Sequence, residues 1–200
     1  MTNVGHLNLP KPGIPRPCEP IRSTEQIKMI KKQLKGNPRD LLLFTMGINS
    51  GLRVNDLLKL KVKDVKYKAP NEELYIKESK TGKTNFIVIN HAIYKVLWQY
   101  IRTYNLKDDN WLFASTRFPD QPLIRSSVSR LIKKWTREAG MKGRYSCHTL
   151  RKTWGYIQRT KYKVGWELIC KRYNHGDPAV TMRYLGITQR EVNGILRNPI

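Results

Sequence analysis

Acidic residues are scarce in this chain: 15 Asp and Glu stand against 38 Lys and Arg in 200 residues, a net charge of +23. Like charges repel in a compact state, so such an excess has a use chiefly where a polyanion offsets it. Lys and Arg that neutralise phosphates release condensed counterions and supply sequence-independent affinity. Nucleic acid is therefore the partner expected from charge alone, with a ribosome-associated protein or an anionic-membrane binder as the bland alternatives. Cysteine is nearly absent too. Cys18, Cys147 and Cys170 form no C-x-x-C pair, which argues against a disulfide framework and against a zinc ligand set. No apolar run approaches the ~20 residues of a membrane helix, and the N-terminus lacks a signal-peptide core. No cluster of carboxylates offers a two-metal site. These gaps lead to the expectation of a soluble, cytoplasmic protein with no metal, no cofactor and no membrane partner.

What is present is enough for a core, since 40% of the residues are hydrophobic. Residues 1–22 carry Pro10, Pro12, Pro15, Pro17 and Pro20, a density that blocks helix and sheet. They read as an extended basic arm with Lys11, Arg16 and Arg22. A folded domain over 23–200 is expected to begin at an S-x-x-Q capping box, Ser23 to Gln26. Ile27, Ile30 and Leu34 form one helical stripe. Leu41 to Ile48 is apolar all round and reads as a central core helix. Ser50-Gly51 breaks it, and Val54, Leu57 and Leu58 belong to a short helix with Arg53 near its start. Strands are expected around Val65, from Leu74 to Glu78 and from Phe86 to Ile89, the last two flanking a hairpin tip at 79–83. Helices follow after Asn90, from Ser126 or Ser127, over about 147–160 and 164–173, and from an Asp177-Pro178 cap. Thr188 and Glu191 form a capping box for a terminal helix at about 188–197. The expected fold is α+β and mostly α, with a small three-stranded antiparallel sheet.

The candidate chemistry lies in six positions. His148 and Arg151 are three apart on a helix and share a face. His175 follows a helix end, Tyr184 comes nine residues later, Arg53 follows a glycine turn, and Lys80 sits at the hairpin tip. Each alone has a dull explanation: a packing histidine, a core tyrosine with a wet tip, a hairpin lysine, an arginine paired with Asp56. Together they meet the needs of attack on a phosphodiester. Two arginines bind the non-bridging oxygens with paired N–H forks. A tyrosine forms a covalent intermediate. Histidine and lysine handle the proton of the nucleophile and of the leaving oxygen.

The motifs then become specific. Gly51-Leu52-Arg53-Val54-Asn55-Asp56-Leu57 resembles the first arginine motif of the tyrosine recombinases (phage integrases), including the acidic residue three after the arginine. Ser79-Lys80-Thr81-Gly82 resembles their hairpin lysine motif. His148-Thr149-Leu150-Arg151 matches the H-x-L-R box. Asn174-His175 with Asp177 to Tyr184 resembles the histidine-to-tyrosine box. The resemblance covers about residues 23–197, with all six positions in the family's order. It implies a catalytic domain in which Arg53 and Arg151 clamp the scissile phosphate. Tyr184 attacks to make a 3′-phosphotyrosyl link, Lys80 is general acid to the 5′ oxygen, His148 is acid/base partner of the tyrosine, and His175 hydrogen-bonds the phosphate. It further implies double-stranded DNA as partner, a homotetramer on DNA, and integrase or excisionase work for a mobile element.

The chain departs from the family at four points. Tyr173-Asn174-His175 stands where Leu-Gly-His is common, and Lys152 where histidine or threonine is frequent. Lys83 rivals Lys80 for the hairpin role; Lys80 is preferred because it precedes Thr-Gly. Family members also carry a separate DNA-binding domain ahead of the catalytic one, and only about 22 residues precede it here. The basic arm, or an accessory DNA-binding protein, is expected to supply that grip. Gly82-Lys83-Thr84 imitates a P-loop end, but the glycine required at 77 is Lys77. The rival functions are a topoisomerase-like nick-and-reseal enzyme, a non-catalytic or partner-dependent DNA binder of the same fold, and a basic structural protein.

Overall fold

The centre of the molecule follows from one segment with almost no polar face. In the computed structural model, which describes residues 17–186 together with 193, 197 and 199, Leu41, Leu42, Leu43, Phe44 and Met46 are all buried. The earlier part of the proline-rich arm and the expected terminal helix, with its Thr188–Glu191 cap, lie outside the described residues. Chain order gives α1 (Thr24–Gln33), a 3-10 turn (Leu34–Gly36), α2 (Pro38–Ser50), α3 (Val54–Leu57) and α4 (Val62–Lys66). Then come strands β1 (Glu73–Lys77) and β2 (Thr84–Val88) and helices α5 (His91–Tyr104), α6 (Arg125–Glu138), α7 (Cys147–Thr160), α8 (Trp166–Tyr173) and α9 (Pro178–Leu185). Helix α2 is the hub, packed against both α5 and α7.

The helix starts carry the caps that the sequence signals. Ser23 Oγ accepts from Glu25 N at 3.1 Å, Asn90 Oδ1 from Ile93 N at 3.0 Å, and Asp177 Oδ1 from Ala179 N at 2.7 Å. Ahead of α1, the segment from Pro17 has no helix or strand, yet Ile21 is buried in the core and its amide donates to Thr153 Oγ1 at 2.9 Å.

The expected third strand is a correction. The stretch around Val65 is α4, and among the described residues the sheet has two strands, running antiparallel from Glu73 opposite Val88 to Lys77 opposite Thr84. The reason is local. Asp64 Oδ2 accepts from Lys61 N at 2.7 Å and closes a helical turn, and Val62 and Val65, three apart, are buried on one face.

A second, smaller apolar cluster joins Ile169, Tyr173 and Leu185, with Trp154, Val164, Trp166 and Tyr184 packed on it. It seats α8 and α9 on α7. Gly155 makes the close approach possible: a Cβ there would lie 2.2 Å from Tyr173 Oη. That hydroxyl instead accepts from Gly155 N at 3.1 Å and donates to Arg151 O at 2.5 Å. Gly155→Ala is expected to cost about 1–3 kcal/mol by overpacking, lowering the thermal unfolding midpoint by about 2–4 °C per kcal/mol. An unchanged midpoint in calorimetry would mean that the α7–α8 contact yields freely.

Candidate active site

The site starts at the end of α2. Gly51 takes a left-handed conformation (φ 66°), and a Cβ there would meet the Trp154 ring at 2.8 Å. The turn delivers Arg53 to the residue before α3. Its Nη1 donates to Glu78 Oε2 at 2.8 Å, not to Asp56. Asp56 serves the hairpin instead, accepting from Ser79 N at 2.7 Å and Ser79 Oγ at 2.8 Å.

Glu78 is the organising carboxylate, and it is 1% exposed. Besides Arg53 it accepts from Thr81 Oγ1 and Asn85 Nδ2 at 2.7 Å and from Asn174 Nδ2 at 3.3 Å. It thus binds the hairpin, α3 and the end of α8 together. Burial pushes its pKa up, but the hydrogen bonds from Thr81 and Asn85 and the Arg53 charge outweigh this and leave it below the ordinary value. The sequence held a signal for it: alternation along β1 puts Leu74, Ile76 and then Glu78 on the inward face. Glu78→Ala leaves the Arg53 guanidinium without its partner and is expected to destabilise by about 3–5 kcal/mol, read as a lower urea midpoint with unchanged slope.

Helix α7 presents His148 and Arg151 to the same hollow. Arg151 is 3% exposed. Its Nη2 donates to Tyr173 O at 2.8 Å, and its guanidinium carbon lies 4.4 Å from the Tyr173 ring centroid. Its Nη1 is buried and has no hydrogen-bond partner among the described residues. A cationic donor in that state is costly and calls for an acceptor, best an anion. The hollow holds about 400 Å3 and is walled by Arg53, Asn55, Ser79, Lys80, Arg125, Cys147, His148 and Arg151. Lys80 is therefore in the wall, and Lys83 is not part of it.

The remaining two positions lie outside this wall: Tyr184 lines a neighbouring hollow that shares His148, and His175 stands beside it. Tyr184 Oη lies 3.4 Å from His148 Nδ1, and its ring stands edge-on to His175 at 5.4 Å and to Tyr173 at 5.5 Å. His175 Nδ1 pairs with Thr181 Oγ1 at 2.9 Å. Asn174, which ends α8, is left-handed at φ 53°, so the departure from glycine is filled by a residue that tolerates that region. Lys152 is buried too, with its Nζ 4.8 Å from the Tyr184 ring centroid. The structure thus brings all six predicted positions to one place. Glu78, Arg125, Tyr173 and Lys152 join them; the sequence marks Tyr173 and Lys152 as departures from the family pattern and gives Glu78 and Arg125 no role.

Burial raises the Tyr184 phenol to about 12, with Arg151 partly opposing the rise. The hydroxyl is protonated near neutral pH and needs an acceptor to become a nucleophile. Burial, then Arg125, Arg151, Lys152 and Arg53, hold His148 below its ordinary value; burial, then the two arginines, do the same to His175. Depressed histidine pKa values stabilise the fold fully above the unfolded value of about 6.5 and are lost as pH falls through the folded values. The thermal midpoint is expected to drop between about pH 8 and about pH 5.5. His148→Gln should flatten that drop, and a drop of the same size in the variant would remove His148 from the account.

The fold is that of tyrosine recombinase catalytic domains. The crystal structure of XerA recombinase superposes with a TM-score of 0.73 at 21% identity, over 92% of this chain and 68% of that one. A XerH site-specific recombinase in a post-cleavage complex on a palindromic difH substrate gives 0.70 at 17% identity, over 87% of this chain and 51% of that one. The chain belongs to the phage integrase family, whose model matches residues 23–191; its tyrosine recombinase members are DNA strand-transferring enzymes. It is 39% identical over 174 residues to the probable integrase/recombinase YoeC of Bacillus subtilis (strain 168), covering 86% of this chain and 91% of that protein. It is 25% identical over 201 residues to the tyrosine recombinase XerC of Caldanaerobacter subterraneus, covering 97% of this chain and 54% of that protein. The chain thus spans nearly all of one relative and about half of the other.

Proposed function

We propose that this chain is a site-specific recombinase that cuts and rejoins double-stranded DNA through a 3′-phosphotyrosyl intermediate, as the integrase or excisionase of a mobile element. The observation that carries the proposal is the buried Nη1 of Arg151, unpartnered among the described residues, on a side chain that lines one cavity with Arg53, Lys80 and His148. In this reading a scissile phosphate fills the cavity. Arg53 and Arg151 hold its non-bridging oxygens, worth most in a site that excludes water. Tyr184 Oη attacks phosphorus, the bond to O5′ breaks, and Lys80 Nζ gives that oxygen a proton. His148 takes part in moving the tyrosine proton. His175 turns Nε2 to the phosphate, because Thr181 occupies Nδ1. The covalent link conserves bond energy, so rejoining to another 5′-hydroxyl uses no ATP. The net charge of +23 supports a DNA partner.

The same proposal covers assembly and place. The domain beginning at Ser23 works in the cytoplasm as a homotetramer on DNA, with the basic arm or an accessory protein completing the grip. The test uses nicked suicide duplexes from the flanks of the native element. A covalent protein–DNA band that persists in chelator supports the chemistry. Joining that requires two sites supports recombination; relaxation of a supercoiled circle without joining would place the enzyme among nick-and-reseal topoisomerases. Tight binding with no band would point to a DNA binder or to a missing partner.

A further inference from the structure

His148 is held from both sides, and the two contacts are chemically unequal. Arg125 Nη2 lies 3.1 Å from Nε2, and Tyr184 Oη lies 3.4 Å from Nδ1. A guanidinium only donates hydrogen bonds and stays protonated in proteins. The Arg125 contact therefore requires a lone pair on Nε2. A neutral imidazole with that lone pair carries its one proton on Nδ1. So an N–H faces Tyr184 Oη. In this state His148 donates to the nucleophile and has no site to take its proton.

We infer that Arg125 is a latch on His148: it fixes the Nδ1–H tautomer in the DNA-free protein, and an anionic phosphate in the cavity draws it away. The use of the latch rests on the cleavage function proposed above. Arg125 sits in the first turn of α6 and lines the same cavity as Arg53, Lys80 and Arg151. Its Nε donates to Cys147 Sγ at 3.2 Å, which aims the other end of the fork at His148. A phosphate oxygen is a stronger acceptor for a guanidinium than a neutral ring nitrogen. When Arg125 turns to phosphate, solvent exchange lets the ring proton settle on Nε2, and Nδ1 offers its lone pair to Tyr184. The proton then passes from Oη to Nδ1, giving imidazolium, and the phenolate electron pair forms the bond to phosphorus. The P–O5′ bond breaks, and Lys80 protonates the leaving oxygen.

The charges around the ring support this order of events. Arg125 from α6, Arg53 from the start of α3, Arg151 and Lys152 on α7 and Lys80 in the shared wall are all cationic; Tyr184 from α9 is neutral. After burial, Arg125 is the largest influence holding His148 low. A bound phosphate offsets these charges at the moment the ring must accept a proton. Arg125 is thus a positioning residue that acts through His148.

The test reads the His148 ring nitrogens by two-bond proton–nitrogen NMR of the full chain without DNA. The wild type is expected to show the Nδ1–H pattern at neutral pH. R125Q is expected to switch it to mainly Nε2–H and raise the ring pKa, and R125K, which keeps a donor, to retain most of the Nδ1–H form. Adding inorganic phosphate to the wild type should move it toward Nε2–H. A wild type already in the Nε2–H form overturns the latch without any variant, as does an unchanged ring in folded R125Q. On suicide DNA, the acid limb of the R125Q pH–rate profile should move to higher pH. A protein that never cleaves DNA, yet shows the switch, keeps the latch and loses the recombinase reading. Cleavage with no switch sinks the latch alone.

Discussion

Tyr184→Phe is expected to abolish covalent capture of DNA while leaving the fold and DNA affinity in place. Losing a nucleophile costs about 10⁶ in rate in a well-studied protease, and a loss of at least about 10⁴ is expected here on the same reasoning. The structural cost is small. Among the described residues the hydroxyl makes one long hydrogen bond, 3.4 Å to His148, and the phenyl ring keeps its edge contacts with Tyr173 and His175. Loss of that hydrogen bond is worth about 1 kcal/mol or less. A gel-shift at matched salt checks affinity, and a denaturing gel checks capture. Weakened binding in step with lost capture would indicate a structural defect in place of lost chemistry.

Arg151→Lys is expected to slow cleavage by about 10²–10³-fold, the usual cost of removing one donor aimed at developing charge. The charge survives this exchange but the fork does not. The single ammonium nitrogen of lysine cannot occupy both the Nη2 position, 2.8 Å from Tyr173 O, and the separate Nη1 position left for the phosphate. Arg53→Ala is the less informative partner variant. It would strip Glu78, whose side chain is 0% exposed, of the cation that offsets its charge, and activity would fall with stability. Single-turnover rates on suicide duplexes, with unfolding curves beside them, separate the two. A fall of less than about threefold in Arg151→Lys would take phosphate clamping away from this residue.

Much of this was legible in the sequence because it is local. The limits of α7, Cys147 to Thr160, match the reading from periodicity, and the caps at Ser23, Asn90 and Asp177 follow from side-chain chemistry within three residues. Val65 was misread because a short apolar stretch has no period to declare; the Asp64 cap decided it. The site shows the same division. Its six ordered positions carry family motifs, so each could be named. The pairings that support them could not be read, even where alternation turns Glu78 inward, since they are tertiary: Arg53 meets Glu78 across 25 positions, Arg151 meets Tyr173 across 22, and Arg125 meets His148 across 23. The helix holding Arg125 was expected to begin one or two residues later, which hid its place in the first turn.

The central claim is that Tyr184 becomes bonded to a DNA phosphate. The most direct measurement is mass spectrometry of the trapped adduct after digestion by nuclease and trypsin. The account predicts a nucleotide remnant on the peptide containing Tyr184, linked through the 3′ phosphate, with a free 5′-hydroxyl on the released strand. A remnant on another residue, or a 5′ linkage, would contradict it.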